Sequence, residues 1–171
     1  MSTKKTSTKS EALSTKEEQA MAITRRYMLW SGGAGLIPFP LLDLATIIGV
    51  QMKMVAEISK IYEVDFSENK AKNTISAALS GVTASTFTQG TLGSSLKSIP
   101  VIGTLVGTIT MPFFASASAY ALGTVFINHF EKGGSFLDLD PGKFSDNFKK
   151  MFKRGEKAAQ ELKSEVDSPS A

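Results

Sequence analysis

The sequence predicts an all-α protein, a helical bundle built around a transmembrane helical hairpin of residues 73–96 and 99–128, with amphipathic helices on either side. Thirty consecutive residues, Ile99 to Asn128, carry no charged side chain and no histidine, which exceeds the ~20 residues that a helix needs to cross a bilayer. The uncharged run before it contains ten serines and threonines, whose hydroxyls suit a neighbouring helix better than lipid. The alternative is a bundle in which the protein itself buries both runs.

Composition narrows the class of protein. A chain of 171 residues fits one domain. It has no cysteine and one histidine, which excludes disulfides, thiol chemistry and the usual zinc sites. No apolar segment opens the chain, so we expect no cleavable signal peptide. Both tails are basic without interleaved aromatic residues, which favours anionic lipid over nucleic acid as a partner.

Three regions are predicted along the chain. Residues 1–13 are Ser-, Thr- and Lys-rich and read as a disordered polar arm. Residues 14–152 form the helical membrane-associated domain, whose first helix begins at a capping box made by Ser14 and Glu17. Residues 153–171 form a charged C-terminal helix end and tail.

A sharp apolar connection follows the first helix. Pro38 and Pro40 stand in an uncharged stretch, where each proline pushes the residue before it toward extended geometry. Asp43 lies among leucines and is predicted to cap the second helix, whose apolar residues recur at helical spacing from 44 to 62. A turn at 64–67 precedes the third helix.

The long uncharged run is rich in small residues. Gly103, Gly107 and Gly123 predict sites where helices approach closely. Pro112 is expected to kink this helix, and the glycine pair at 133–134 to end it.

The last helix is amphipathic. Asp140 and Pro141 read as its N-cap and first turn. Its phenylalanines occupy one side and its lysines the other, which is typical of a membrane-surface helix or of a helix docked on the protein by its phenylalanine side. The residues predicted to meet the membrane surface are Phe144, Phe148, Phe152, Lys149, Lys150 and Lys153.

No pattern of catalytic residues is found. The loop from Gly90 to Ser98 lacks the glycine before its lysine and the spacing of a Walker A loop. His129 beside Glu131 could relay protons, but a helix-end histidine is the more common role. Asp138 and Asp140 lack the further ligands of a cation site. We therefore predict a protein that is not an enzyme and has no cofactor, metal or catalytic residue.

Four segments together resemble one bacterial family. They are YMLWSGGAGLIPFPLLD from Tyr27, IGVQMKMVAEISKIYEVDFS from Ile48, SIPVIGTLVG from Ser98 and SAYALGTVFINHFEKGGSFLDLDP from Ser118. Over roughly residues 22–152 the chain is similar to the family called domain of unknown function 697. The resemblance implies a helical, membrane-associated protein, found alone or fused behind small GTPase domains. This chain is of the stand-alone kind, so a GTPase would be a separate partner.

Lysines decide the expected orientation. Lys70, Lys72 and Lys132 flank the predicted hairpin while its loop carries only Lys97. This distribution predicts a protein of the bacterial inner membrane with both termini in the cytoplasm. We expect action by assembly or membrane contact, with membrane lipid and a second copy or another protein as partners and no nucleic acid. Two alternatives stay open: a pore or transporter subunit lined by hydroxyls from Thr74 to Ser95, and a soluble helical module that binds lipid or protein.

Overall fold

The computed structural model describes residues 3–33, 44–92 and 111–167, with side chains described at 15–31, 45–82 and 112–165. These residues form helices and turns without a strand, which confirms the all-α prediction. The helices are α1 Thr3–Gly33, α2 Leu44–Ile61, α3 Glu68–Leu92, α4 Met111–Glu131 and α5 Pro141–Asp167.

One boundary differs from that expected. The first helix starts at Thr3, inside the arm predicted to be disordered and well before the capping box at Ser14. Pro112 is the second described residue of α4. The residues before Met111 lie outside the described residues, so the kink expected at Pro112 stays a prediction.

α2 and α4 end in the same way. Glu63 and Gly133 adopt positive φ values of 58° and 79°. Val64 N donates to Ser59 O at 2.9 Å, and Gly134 N donates to His129 O at 3.0 Å. Both are Schellman motifs, in which a left-handed residue lets the chain reverse and satisfies the last carbonyls of the helix. The predicted stop at the glycine pair is confirmed.

α5 begins as the sequence predicts. Asp140 Oδ1 accepts hydrogen bonds from Gly142 N at 2.9 Å and from Lys143 N at 3.0 Å. These N–H groups would otherwise have no partner in the first turn. The cap sends α5 back along α4.

α4 is the central helix. It packs against α1, α2 and α5, and its Leu122 and Phe126 are fully buried. Ser118 is buried as well, and its hydroxyl donates to Phe114 O at 2.6 Å. Neighbouring helices therefore account for the absence of charge in this described part of the uncharged run.

Glycines bring α4 close to two neighbours. A Cβ at Gly123 would collide with the Thr24 side chain of α1, and a Cβ at Gly155 of α5 would collide with the backbone carbonyl of Ala117. Backbones that approach this closely gain dispersion contacts along both helices. The tightest crossings of the bundle thus use glycine on opposite sides of α4.

The predicted transmembrane hairpin is not supported. α3 packs against α2 and α5, and α3 with α4 is not among the extensively packed pairs in the described part of the chain. No described helix combines the length and the apolar composition needed to cross a bilayer. The prediction of a hairpin from segments 73–96 and 99–128 depends on their lack of charge. Hydropathy does not separate burial in lipid from burial in protein.

An aromatic cluster closes one end of the bundle. The ring centroids of Phe126 and Phe144 lie 4.9 Å apart, and Phe136, from the loop after α4, lies 5.4 Å from Phe130 and 5.5 Å from Phe66. Tilted and edge-on pairs at these separations are favourable. The cluster joins both tight turns to α4 and α5.

The crossing at Gly155 predicts a strong effect of one methyl group. Gly155→Ala should lower the free energy of unfolding by about 1–3 kcal/mol, because the backbone carbonyl of Ala117 cannot move aside as a side chain could. Urea denaturation followed by circular dichroism measures the change.

Gly49→Ala is the matched control. No atom lies within 4 Å of a Cβ built at Gly49, so helix propensity alone should raise stability by about 0.5–1 kcal/mol. Equal effects of the two substitutions would contradict the close crossing of α4 and α5.

Candidate functional site

α1 and α2 run antiparallel. Lys16 Nζ, in the first half of α1, donates to Glu63 Oε1 at 2.9 Å just after α2 ends. Arg26, near the end of α1, pairs with Glu57 inside α2. The C-terminal end of α1 therefore lies toward the start of α2.

α2 and α4 run parallel. Near their beginnings, Gln51 Nε2 donates to Ala115 O at 3.1 Å. At their other ends, the Tyr62 hydroxyl donates to Glu131 Oε1 at 3.3 Å. Both helices thus start at the same end of the bundle.

α5 returns along α4 in the opposite direction. The centroids of Phe114 and Phe152 are 5.4 Å apart at one end of the pair, and Phe126 contacts Phe144 at the other. α3 leaves the turn after α2 and packs on α5, where a Cβ at Gly81 would lie 3.5 Å from Ser145 Oγ.

These directions give the bundle two unlike ends. We call one the turn end, where the turns 62–67 and 132–140 lie. We call the other the apolar end, toward which α1 and α5 run and from which α2 and α4 lead away. The described helix ends there are Gly33, Leu44 and Met111, and the C-terminal half of α5 lies beside them, since Phe152 contacts Phe114.

Two connecting segments with few charged residues lead to the apolar end. Residues 34–43 contain one charged residue, Asp43, and residues 93–110 contain one, Lys97. Both segments lie outside the described residues, but the helix ends they join are described. The least charged connections of the chain thus both lead to the apolar end.

Exposed apolar side chains lie near the apolar end. Trp30 is 67% exposed and Leu29 is 43% exposed, one turn before α1 finishes. The Trp30 ring lies 5.8 Å from that of Tyr27. Arg25, five residues before Trp30, is exposed too. Two large apolar side chains exposed side by side, Leu29 and Trp30, and the weakly charged connections beyond them together make the apolar end the candidate functional surface.

A polar contact fixes α1 beside this surface. The buried Tyr27 hydroxyl donates to Glu57 Oε1 at 2.7 Å, and Arg26 binds the other carboxylate oxygen. Burial first, and then the hydrogen bond to Glu57, raises the pKa of Tyr27 to about 12. Tyr27 therefore stays protonated at neutral pH and donates its hydroxyl to α2. This hydrogen bond holds the part of α1 that carries Trp30 against α2.

One buried amide near the apolar end is half satisfied. Gln51 is 1% exposed, and its Nε2 bonds to Ala115 O, but Oε1 has no hydrogen-bond partner among the described residues. A buried amide oxygen without a partner costs free energy.

His129 supports a loop at the turn end. Its Nε2 lies 2.9 Å from Ser135 O and 3.9 Å from Asp138 Oδ1, and its ring packs on Gly134. Asp138 also accepts hydrogen bonds from the Ser135 amide and hydroxyl, both at 2.6 Å. His129 lines a cleft of about 360 Å³ between α4 and α5, but its contacts hold the loop and form no relay with Glu131.

The described residues offer no metal site. No group of three or more His, Cys, Asp or Glu side chains within them is arranged to hold an ion.

The predicted packing and capping residues are only partly within the description. Gly123 lies at the crossing of α1 and α4. The other five lie outside the described residues: Gly103, Gly107, Pro38, Pro40 and Asp43.

The residues predicted to meet the membrane surface divide into two groups. Phe144, Phe148 and Phe152 are at most 5% exposed and pack in the core, so these rings face α4 and not the surroundings. The lysines at 149, 150 and 153 are exposed, although Lys149 leans toward Gly81 of α3.

Sequence reasoning missed Trp30 and Gly155 as candidate site residues. A lone tryptophan has no periodic signal, but its position after two arginines was available. Gly155 interrupts a charged helix, and a glycine inside a helix is itself a sign of close packing.

A carboxylate at the turn end predicts a pH effect. Burial first, and then the charge of Glu17, raises the pKa of Glu131 above its ordinary 4.5. The folded state therefore holds this proton more tightly than the unfolded chain, and that stabilisation is lost as pH rises through the raised pKa. Glu131→Gln should raise the melting temperature at pH 7, with a gain that shrinks toward zero below pH 4.5.

Glu63→Gln is the control of opposite sign. The hydrogen bond and charge of Lys16 lower the pKa of Glu63 below 4.5, so its contribution is present at pH 7 and lost as pH falls through the lowered value. Melting curves of both variants from pH 3 to 8 measure the effects. A lower melting temperature for Glu131→Gln at pH 7 would contradict this environment for Glu131.

Comparison with known proteins agrees with the resemblance in the sequence. Over 142 residues the chain is 29% identical to Magnetosome membrane protein 22 of Magnetospirillum gryphiswaldense. The matched region covers 83% of this chain and 73% of that protein. No solved structure matches the chain. The family model named Domain of unknown function (DUF697) matches residues 2–157, and the chain therefore belongs to that family.

Proposed function

We propose that this protein is a non-catalytic helical module that acts at a membrane, with its apolar end in the lipid interface and its turn end in water. It works by contact and assembly on the cytoplasmic face of the inner membrane, where the negative surface potential of anionic lipids attracts basic segments.

The carrying observation is that both weakly charged connections lead to the apolar end. Residues 34–43 and 93–110 carry a single charge each. The first connection joins α1 to α2 at the apolar end, and the second leads into Met111 at the start of α4. Apolar chain concentrated at one end gives a molecule a surface that favours an interface, because the remaining charges stay hydrated.

Trp30 supports the same orientation. Its amphipathic ring combines a large apolar area with an N–H donor, and tryptophan is enriched at membrane–water boundaries for that reason. Counting residues from the crossing of Thr24 with Gly123, Trp30 lies about 9 Å farther toward the start of α4. The indole thus stands on the half of the bundle toward the apolar end, one turn before Gly33.

The name of the relative provides independent support. Magnetosome membrane protein 22 shares 29% identity with this chain over most of both proteins. A common fold with a common working environment is the simplest reading of that similarity.

The proposed contact needs no spanning helix. α4 already has protein neighbours on most of its described surface, so moving it into lipid would expose Gly123 and the small residues around it while giving up their contacts. An interfacial position keeps the bundle intact and covers only the apolar end.

Trp30 is the sole tryptophan of the chain, which makes it a built-in probe. With lipid vesicles, its fluorescence emission should shift to the blue, and lipids brominated near the headgroup should quench it more than lipids brominated near the chain end. An emission spectrum unchanged by vesicles of any composition would overturn the proposal.

Two exposed apolar residues give a matched pair of variants. Trp30→Ala should weaken vesicle cosedimentation by about tenfold, since one large side chain leaves the interface. Leu137→Ala changes an 82% exposed leucine at the turn end and should have no effect. Release of a trapped dye by the wild-type protein would favour the pore alternative instead.

A further inference from the structure

One side of α5 carries a strip of cations. Lys150, Lys153, Arg154 and Lys157 are all exposed and recur at spacings of three and four residues, which places them on one face of the helix. The opposite face is buried through Phe148 and its neighbours. We call these four residues the basic face.

The cations of the basic face form no ion pair within 4 Å among the described residues. The ion pairs found there involve Lys16, Arg26, His129 and Lys143. Asp146 and Glu161 stand one turn beyond the two ends of the basic face and bound it. Four like charges within two helical turns repel one another. An external anion would relieve that repulsion.

The basic face lies level with the apolar end. Phe152 contacts Phe114, and Gly155 packs on the Ala117 carbonyl, so residues 152–155 lie beside the first turns of α4. Lys157 lies farther along, because α5 runs away from the turn end. A surface that receives the apolar end therefore also meets these side chains.

We infer that the basic face binds the phosphate groups of anionic phospholipids, so that the membrane proposed above is recognised by its negative charge. This inference rests on the proposed function and adds the class of lipid. Cations next to an apolar segment are the usual arrangement for anionic bilayers.

Lipid fits the face better than nucleic acid does. Binding of single strands uses exposed aromatic rings on which bases stack, whereas the phenylalanines of α5 with described side chains are at most 5% exposed. Lysines on a smooth helical face suit a planar array of phosphates.

The test compares two quadruple variants of the full chain. Lys150→Gln, Lys153→Gln, Arg154→Gln and Lys157→Gln together remove the basic face. Lys60→Gln, Lys70→Gln, Lys72→Gln and Lys132→Gln together remove the same charge from exposed residues nearer the turn end. Melting by circular dichroism verifies that both variants fold.

The readout is cosedimentation with phosphatidylcholine vesicles. One set of vesicles is pure, and the other contains about 20 mol% phosphatidylglycerol as the anionic lipid. The wild type should bind the anionic vesicles more tightly and lose that preference as salt rises. The basic-face variant should bind them roughly a hundredfold more weakly, while the turn-end variant keeps most of its affinity.

The outcomes separate the two proposals. A Trp30 blue shift that is equal with and without phosphatidylglycerol would overturn the lipid inference and leave the proposed function standing. Binding to anionic vesicles without any Trp30 shift would support the lipid inference and overturn the insertion of the apolar end. Equal losses in the two quadruple variants would also overturn the lipid inference, and so would tighter binding to a DNA duplex than to anionic vesicles.

Discussion

The fold depends on how closely α1 and α5 approach α4. At Gly123 and Gly155 there is no room for a methyl group, and the other helices are placed by these two crossings. Close approach buries Phe126 and Leu122 completely, and dispersion contacts at such distances add up over many atom pairs. A helix in this position has little room for charged side chains, which explains why α4 has none before His129.

That constraint moves the charges to the outer helices and gives the bundle its polarity. α1, α2 and α5 each present one side to α4, so their cations and carboxylates face outward. The two tight turns meet in the aromatic cluster around Phe136, which leaves the long connections to lead to the opposite end. The difference between the two ends follows from helix directions alone.

The sequence predicted local features well and their environment poorly. The cap at Asp140 and the stop at Gly133 depend on neighbouring backbone groups, so sequence reasoning could find both. The predicted transmembrane hairpin is not supported, because the lack of charge in α4 indicates a buried helix but does not show whether lipid or protein surrounds it. Likewise, the phenylalanines of α5 were correctly placed on one face, yet periodicity cannot distinguish a lipid surface from α4 as the partner of that face.

The charges near the two ends favour a single orientation on an anionic surface. The turns of the turn end contain four carboxylates, at residues 63, 65, 138 and 140, and one lysine, at 132. The connections at the apolar end contain one charge of each sign, and the basic face stands beside them. A negative surface therefore repels the carboxylates of these turns and attracts the basic face over roughly a Debye length, before any apolar contact forms. The protein is therefore oriented before it reaches the membrane, and Trp30 then needs to move only a short distance to enter the interface.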